Sequence, residues 1–148
     1  MRVVIQRVSE AKVIAEGKVT GSINKGFLLL VGVEEADNSD DVKYLARKIA
    51  NMRIFEDEES KMNLALKEVQ GEILSISQFT LHANTKKGNR PSFIQAASPD
   101  FANKLYKELN ESLVKKGLKV ETGVFGADMD VSLVNDGPVT ILIDSKNK

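Results

Sequence analysis

Few side chains in this 148-residue sequence could do covalent chemistry. It has one histidine, His82, and no cysteine. The lack of Cys removes disulfides, thiolate-held zinc, iron–sulfur clusters and thiol nucleophiles together. A single His removes the multi-His metal motifs of the His-Glu-x-x-His kind. His82 could act as a general base. It follows Ser77 by five positions, however, and strand alternation would set that pair on opposite faces while the strand lasts. No Gly-x-Ser-x-Gly elbow and no phosphate-cradling glycine loop occurs. The acidic run Glu56-Asp57-Glu58-Glu59 could be read as a cation site. It reads better as a solvated turn, since like charges repel and stay wet.

Three other segments could bind or orient a substrate. Ser77-Gln78-Phe79-Thr80-Leu81 sets two hydroxyls and an amide among apolar residues at the end of an expected strand. The plain alternative is a strand end decorated with hydroxyls. Lys86-Lys87-Gly88-Asn89-Arg90-Pro91-Ser92-Phe93 is a basic loop carrying an aromatic ring. It suits backbone phosphates and a terminal base, or is simply a charged surface loop. Gly137-Pro138 stands between two strand-like stretches. Pro there interrupts ladder pairing, so the pair is either a special feature, if its bond is cis, or a hairpin turn.

The elements that must hold these segments follow from periodicity. Val3, Val4, Ile5 and Val8 open a strand, and Glu16-Gly17-Lys18 is a hairpin turn between Val13-Ile14-Ala15 and Val19-Thr20. Residues 26–33 form a continuous apolar run, expected as a strand buried on both faces. Val42, Leu45, Ala46, Ile49 and Met52 recur at helical spacing, with Ser39 as the expected cap. A second helix starts at Ser98-Pro99-Asp100, carries Phe101, Ala102, Leu105, Leu109 and Leu113 on one stripe, and stops at Gly117. Further strands are expected at residues 52–55, 72–79, 118–122, 128–134 and 139–144. The last two are joined by the turn-rich Asn135-Asp136-Gly137-Pro138. Many strands and two helices without regular alternation predict an α+β fold, with a strongly curved, largely antiparallel sheet.

Composition bounds the class. The length fits one domain over residues 1–148, and the balance of apolar and charged residues is that of an ordinary globular protein. With 21 basic and 21 acidic residues, a broadly basic nucleic-acid coat is disfavoured, though a local patch is not. No apolar run approaches the roughly 20 residues of a membrane span. The start carries Arg2 and Arg7 without an apolar signal core, so Met1 is read as the mature start and the cytoplasm as the default compartment.

Taken together, these segments resemble the D-aminoacyl-tRNA deacylase family. That family carries a Ser-Gln-Phe-Thr-Leu motif and an Asn-x-Gly-Pro-Val-Thr motif, here Ser77 to Leu81 and Asn135 to Thr140. The likeness extends to Val4-Ile5-Gln6-Arg7-Val8, Met52-Arg53-Ile54-Phe55, Lys61-Met62-Asn63, the basic loop and Phe125-Gly126-Ala127-Asp128-Met129. It covers essentially the whole chain and implies a compact, barrel-like fold, in agreement with the α+β reading.

The resemblance implies hydrolysis of the ester between a D-amino acid and the 3′-terminal adenosine of tRNA, and of glycine mischarged on alanine tRNA. It implies a homodimer with each site near the interface, no metal or organic cofactor, and neither a membrane nor a DNA partner. The substrate's own 2′-hydroxyl would assist attack by water, so the protein supplies placement and charge stabilisation. Backbone N–H groups around Gln78, Phe79 and Thr80 would be the oxyanion donors, with Ser77 and Thr80 orienting the substrate. Phe125 and Met129 would line the adenosine pocket. Gly137-Pro138 would reach into the partner's site as the chiral filter, with Arg7 bracing it. Lys86, Lys87 and Arg90 would hold tRNA phosphates. Two other classes remain open on sequence: an RNA-binding module without chemistry, and a structural dimeric β-protein.

Overall fold

The computed structural model describes residues 1–148. In chain order it has β1 (Arg2–Ala15), β2 (Lys18–Ile23), β3 (Gly26–Gly32), α1 (Ser39–Asn51), β4 (Phe55–Glu56), β5 (Met62–Leu64), β6 (Glu72–Ser77), α2 (Pro99–Lys115), β7 (Lys119–Thr122) and β8 (Met129–Asp144). Two short 3₁₀ turns occupy Leu66–Val69 and Phe79–His82.

β1 organises the sheet. One of its edges pairs with β8 from Arg2 to Ala15. Its other edge pairs with β3 over Arg2 to Val8 and with β2 over Ala11 to Ala15. All three ladders are antiparallel. The β1–β2 turn is Glu16-Gly17, both at positive φ, which matches the twist of the strands it joins.

The expectation of a largely antiparallel sheet is met in the three ladders of β1, and the remaining two pairings of this sheet are parallel. β6 lies parallel to β3, and β7 parallel to β6. The connections explain this: α1 lies between β3 and β6, and α2 between β6 and β7. A helical crossover returns the chain to the same end of the sheet and produces parallel neighbours. The sheet curls until β7 backs onto β2. A Cβ on Gly21 of β2 would lie 2.7 Å from the carbonyl oxygen of Thr122, so only glycine permits that approach.

Two apolar clusters follow from this curl. Val3, Ile5, Phe27, Leu29, Val139 and their neighbours pack under α1 and α2. Val8, Ala11, Val13, Leu28, Leu74 and Ile76 fill the barrel's inside, with Met129, Val131 and Leu133 of β8 packed against them as a set. Both β1 and β8 therefore change face partway along. The change coincides with register shifts between Gln6 and Val8 and between Val8 and Glu10. A bulge moves side chains across a sheet in this manner.

Several local expectations need correction. Residues 128–134 and 139–144 are not two strands around a turn. They are one strand, β8, with Asn135 to Pro138 as its bulge, because the long β1 keeps pairing on both sides of the interruption. The strand expected at residues 72–79 stops at Ser77, and Phe79–His82 turns into a 3₁₀ helix. The strand expected at 52–55 is reduced to Phe55–Glu56. Asn38, not Ser39, caps α1. Its side chain accepts from the Asp40 N–H at 2.9 Å, while Asp41 Oδ2 accepts from the Asn38 N–H at 2.8 Å. Ser98 occupies the cap position of α2 without a capping bond from its side chain, and its N–H donates to Glu35 Oε1 at 2.7 Å. No helix is long and apolar enough to cross a membrane.

Candidate active site

β6 delivers Ser77 to the end of the parallel part of the sheet, beside Val31 of β3. The next N–H, that of Gln78, donates to the Val31 carbonyl at 2.7 Å. The chain then turns, and the Leu81 N–H closes on the Gln78 carbonyl at 3.3 Å. The first N–H groups of such a turn, those of Phe79 and Thr80, have no acceptor inside it. Of the three expected donors, Gln78 is thus already engaged. Its side-chain amide instead donates to Thr80 Oγ1 at 2.6 Å, which fixes both side chains on the outer side of the turn.

This turn forms one wall of a cavity of about 560 Å³. Ser77, Gln78 and Phe79 contribute from one side, Phe125 and Met129 from another, and Phe93 and Ala97 from the segment before α2. The volume lies within the roughly 300–1,000 Å³ range of small-ligand sites. Its lining is mostly apolar, and Asp128 is its sole ionisable side chain. It can enclose a flat apolar group and present a few polar atoms to it. Behind Phe125, at 6.0 Å between ring centroids, lies Tyr106. Burial pushes the Tyr106 phenol up from its ordinary value, and its hydroxyl donates to the Ser75 carbonyl at 2.6 Å, tying α2 to β6 beside the cavity.

Five of the residues expected at the site therefore meet in one cavity: Ser77, Gln78, Phe79, Phe125 and Met129. The others lie apart from its lining. Lys86, Lys87 and Arg90 are exposed on a loop whose stem is closed by the Asn84–Ser92 antiparallel bridge. Gly137 and Pro138 are exposed on the β8 bulge, joined by a cis peptide bond.

The bulge is firmly held. Arg7 is buried, donates from Nε to the Asp136 carbonyl at 3.1 Å and from Nη1 to the Ile54 carbonyl at 2.7 Å, and has Asp136 Oδ2 at 3.5 Å from Nε. Asn135 closes the other side: its Oδ1 accepts from the Val139 N–H at 2.9 Å and its Nδ2 donates to Thr140 Oγ1 at 3.2 Å. Asn135 was not among the expected site residues. Its signal was present, as an Asn directly before the Asp-Gly-Pro turn sequence. Phe93, in the sequence the aromatic of the basic loop, also lines the cavity.

His82 belongs to none of this. It is buried, neither ring nitrogen has a hydrogen-bond partner, and its nearest charged neighbour is Glu34 Oε2, 3.7 Å from Nδ1. No Ser–His pair exists. Asp57 in the acidic run accepts from the N–H groups of Glu59 and Lys61, at 2.8 and 3.0 Å, which makes that run a structured turn.

The family model described as D-Tyr-tRNA(Tyr) deacylase matches residues 4–144. The chain belongs to that family. A D-aminoacyl-tRNA deacylase of Flavobacterium johnsoniae is 58% identical over 149 residues, covering 100% of this chain and 99% of the relative. One from Flavobacterium psychrophilum is 57% identical with the same coverage. Among solved structures, one titled c-Myc DNA Unwinding Element Binding Protein superposes with a TM-score of 0.91 at 38% identity, over 97% of this chain and 98% of its own. A probable eukaryotic D-amino acid tRNA deacylase has a TM-score of 0.82 at 17% identity, over 96% of this chain and 97% of its own, and shares the fold. The two deacylase-family motifs thus sit at distinct places in the molecule: Ser77 to Leu81 at the cavity wall, and Asn135 to Thr140 on the β8 bulge.

Proposed function

We propose that this chain hydrolyses the ester of D-aminoacyl-tRNA, releasing tRNA and the D-amino acid. The observation that carries the reading is the cavity beside Ser77 to Phe79, which offers apolar walls for an adenine and free N–H groups at its edge. The terminal adenosine lies between Phe125 and Met129. The ester carbonyl points at the N–H groups of Phe79 and Thr80. Water adds to that carbon, the charge formed on oxygen is held by those two donors, and the bond to the 3′-oxygen breaks as that oxygen takes a proton. The neighbouring 2′-hydroxyl assists the water, so no protein base is needed. Glycine carried on alanine tRNA enters the same site, since it has no side chain to exclude. The substrate is made where translation runs, and the cytoplasm is the compartment this reading proposes.

The same reading makes the enzyme a homodimer. The Gly137-Pro138 bulge is exposed and contributes nothing to its own chain's cavity, yet Arg7 and Asn135 hold it rigidly. A fixed knob with no partner in its own chain suits insertion into a second copy. On the sheet face away from the helices, Leu142 pairs across to Val4 and Val4 to Leu30, and Leu142 is 62% exposed. That apolar row gives the second copy a surface to cover. In the partner's site the bulge's carbonyl groups crowd the amino acid's α-carbon. A D-residue turns its side chain outward, whereas an L-residue drives it into main chain.

Neither Ser77 nor Thr80 acts as a nucleophile. No carboxylate or imidazole hydrogen-bonds to either one, Thr80 Oγ1 being held by the Gln78 amide, and hydroxyls attack weakly without activation. Ser77→Ala and Thr80→Ala should each lower kcat/KM for D-tyrosyl-tRNA by about tenfold, the scale of one lost neutral hydrogen bond, and leave turnover measurable. Rapid-quench assays check this. Complete loss in a folded variant, or a trapped acyl-enzyme, would replace the substrate-assisted route with a covalent one.

Lys86, Lys87 and Arg90 supply affinity without chiral information. Phosphate contacts position a nucleic acid but do not read what is attached to it. Lys86→Ala with Lys87→Ala should weaken tRNA binding and flatten the salt dependence by about 1–2 in the slope of log K against log salt. The D-to-L rate ratio should hold. Salt titrations of tRNA binding, run beside D- and L-tyrosyl-tRNA hydrolysis, measure both. A collapse of chiral selectivity would move the loop into the amino-acid pocket.

A further inference from the structure

The rim of the cavity carries more exposed apolar surface than an adenosine pocket needs. Phe79 is 55% exposed and Ile94 is 89% exposed. Phe93, which precedes Ile94 in the chain and lines the cavity together with Phe79, meets Phe79 edge to face with ring centroids 5.2 Å apart. Neither ring is needed to close the main core, whose aromatic members are Phe27, Phe55 and Tyr106. Large apolar groups left in water at the mouth of a site mark a place where something else is covered.

Topology says what that is. Phe93 directly follows Ser92, one half of the Asn84–Ser92 bridge that closes the stem of the basic loop. Phe93 therefore lines the cavity and directly adjoins the stem of the loop that carries Lys86, Lys87 and Arg90. A single strand whose last nucleoside fills the cavity and whose phosphates run along the loop must pass its preceding base over Phe93. Basic grooves with interleaved aromatic rings bind single strands in this way, because every base offers a face to stack on.

We infer that Phe93, with Phe79 beside it, is a stacking subsite for the nucleobase immediately 5′ of the terminal adenosine. This rests on the deacylase reading above and adds a second nucleotide to the site. It makes recognition of the tRNA end a matter of two consecutive bases: one enclosed in the cavity, one laid on the rim. A ring face reads no base edge, so the subsite takes any base and prefers those that stack well.

Three substrates separate the contributions: D-tyrosyl-adenosine, the D-tyrosyl dinucleotide ending in CpA, and the same dinucleotide with the penultimate base removed. For the unaltered enzyme, the dinucleotide should exceed the mononucleoside in kcat/KM by roughly tenfold, the scale of one base–aromatic stack. The abasic dinucleotide should lose most of that gain although its phosphate remains. In Phe93→Leu, which keeps apolar volume without a ring face, the dinucleotide gain should fall to about twofold or less. Phe93→Trp should retain it. A gain that is equal in Phe93→Leu and the unaltered enzyme, or kept in full by the abasic substrate, overturns the subsite. Failure of the deacylase reading looks different: no release of tyrosine from any of the three. In that case calorimetric binding of uncharged CpA against adenosine, in the same variants, still decides whether the second base is held.

Discussion

Gly137→Ala should reduce turnover of D-tyrosyl-tRNA by on the order of a hundredfold while leaving a folded protein. Gly137 has φ +125°, a region that side-chain-bearing residues rarely enter. A Cβ there would lie 2.8 Å from Arg7 Nη2 and 3.0 Å from Val139 Cγ2. Arg7 cannot simply swing away, since it is buried and committed to the carbonyls of Asp136 and Ile54. Val139 is pinned through its N–H by Asn135. The bulge must therefore shift as a whole. Holding alanine at such a backbone conformation costs about 1–3 kcal/mol, which a domain of this size can survive. Displacement is the larger effect, because a misplacement of about 1 Å near reacting atoms can cost about a hundredfold in rate. Parallel melting curves and sedimentation separate the two. A variant that keeps kcat/KM within about twofold for the D-ester, and still rejects the L-ester, would remove the bulge from the site.

Replacing the terminal 2′-hydroxyl of the tRNA by hydrogen should cost about 10²–10³-fold in the hydrolysis rate, the range of one acid–base or oxyanion contribution. The cavity leads to this expectation by what it lacks a use for. His82, the single histidine, is buried away from the hydroxyls, and Asp128 is the sole ionisable group in the lining. The groups that remain near the ester are main-chain donors, the Gln78 amide and two alcohols. Asp128 is exposed, and none of the neutral groups can keep a proton taken from water. The 2′-hydroxyl, itself an alcohol, helps by orienting the water and passing its proton on to the departing 3′-oxygen. The deoxy substrate should suffer more than either Ser77→Ala or Thr80→Ala with the natural substrate. Equal rates for ribo and deoxy termini would call for a protein base.

Much of this was legible in the sequence, for reasons that differ by segment. α2 could be read from Pro99 to Gly117 because its start, stripe and stop all act within one turn of the chain. The cavity residues were readable as motifs, yet their meeting was not. Ser77 and Phe125 come together only because β6 and the segment after β7 reach the same end of the sheet. The bulge shows the opposite failure. Asn135-Asp136-Gly137-Pro138 is turn-rich locally, but β1 continues past it and recaptures the chain, so a local turn signal became an interruption within one strand. The parallel pairing of β3 with β6 was hidden for a related reason, since strand direction is set by the crossover and not by the strand's own residues. Asn38 displaced Ser39 as the α1 cap because Asp41 can return the bond to the Asn38 N–H. The pocket wall at Phe93 was missed because a ring in a basic loop carries no periodic pattern.

The proposed function is clearance of D-amino acids from tRNA with their L-counterparts spared. The direct measurement is release of tyrosine from D-tyrosyl-tRNA and L-tyrosyl-tRNA by the purified protein, at matched substrate concentrations and against the spontaneous rate of each ester. The expected result is rapid release from the D-ester and an L-rate indistinguishable from the spontaneous one, since overlap with a fixed main chain has no easy relaxation. Release from neither ester above the spontaneous rate, or release from both at similar rates, would contradict it.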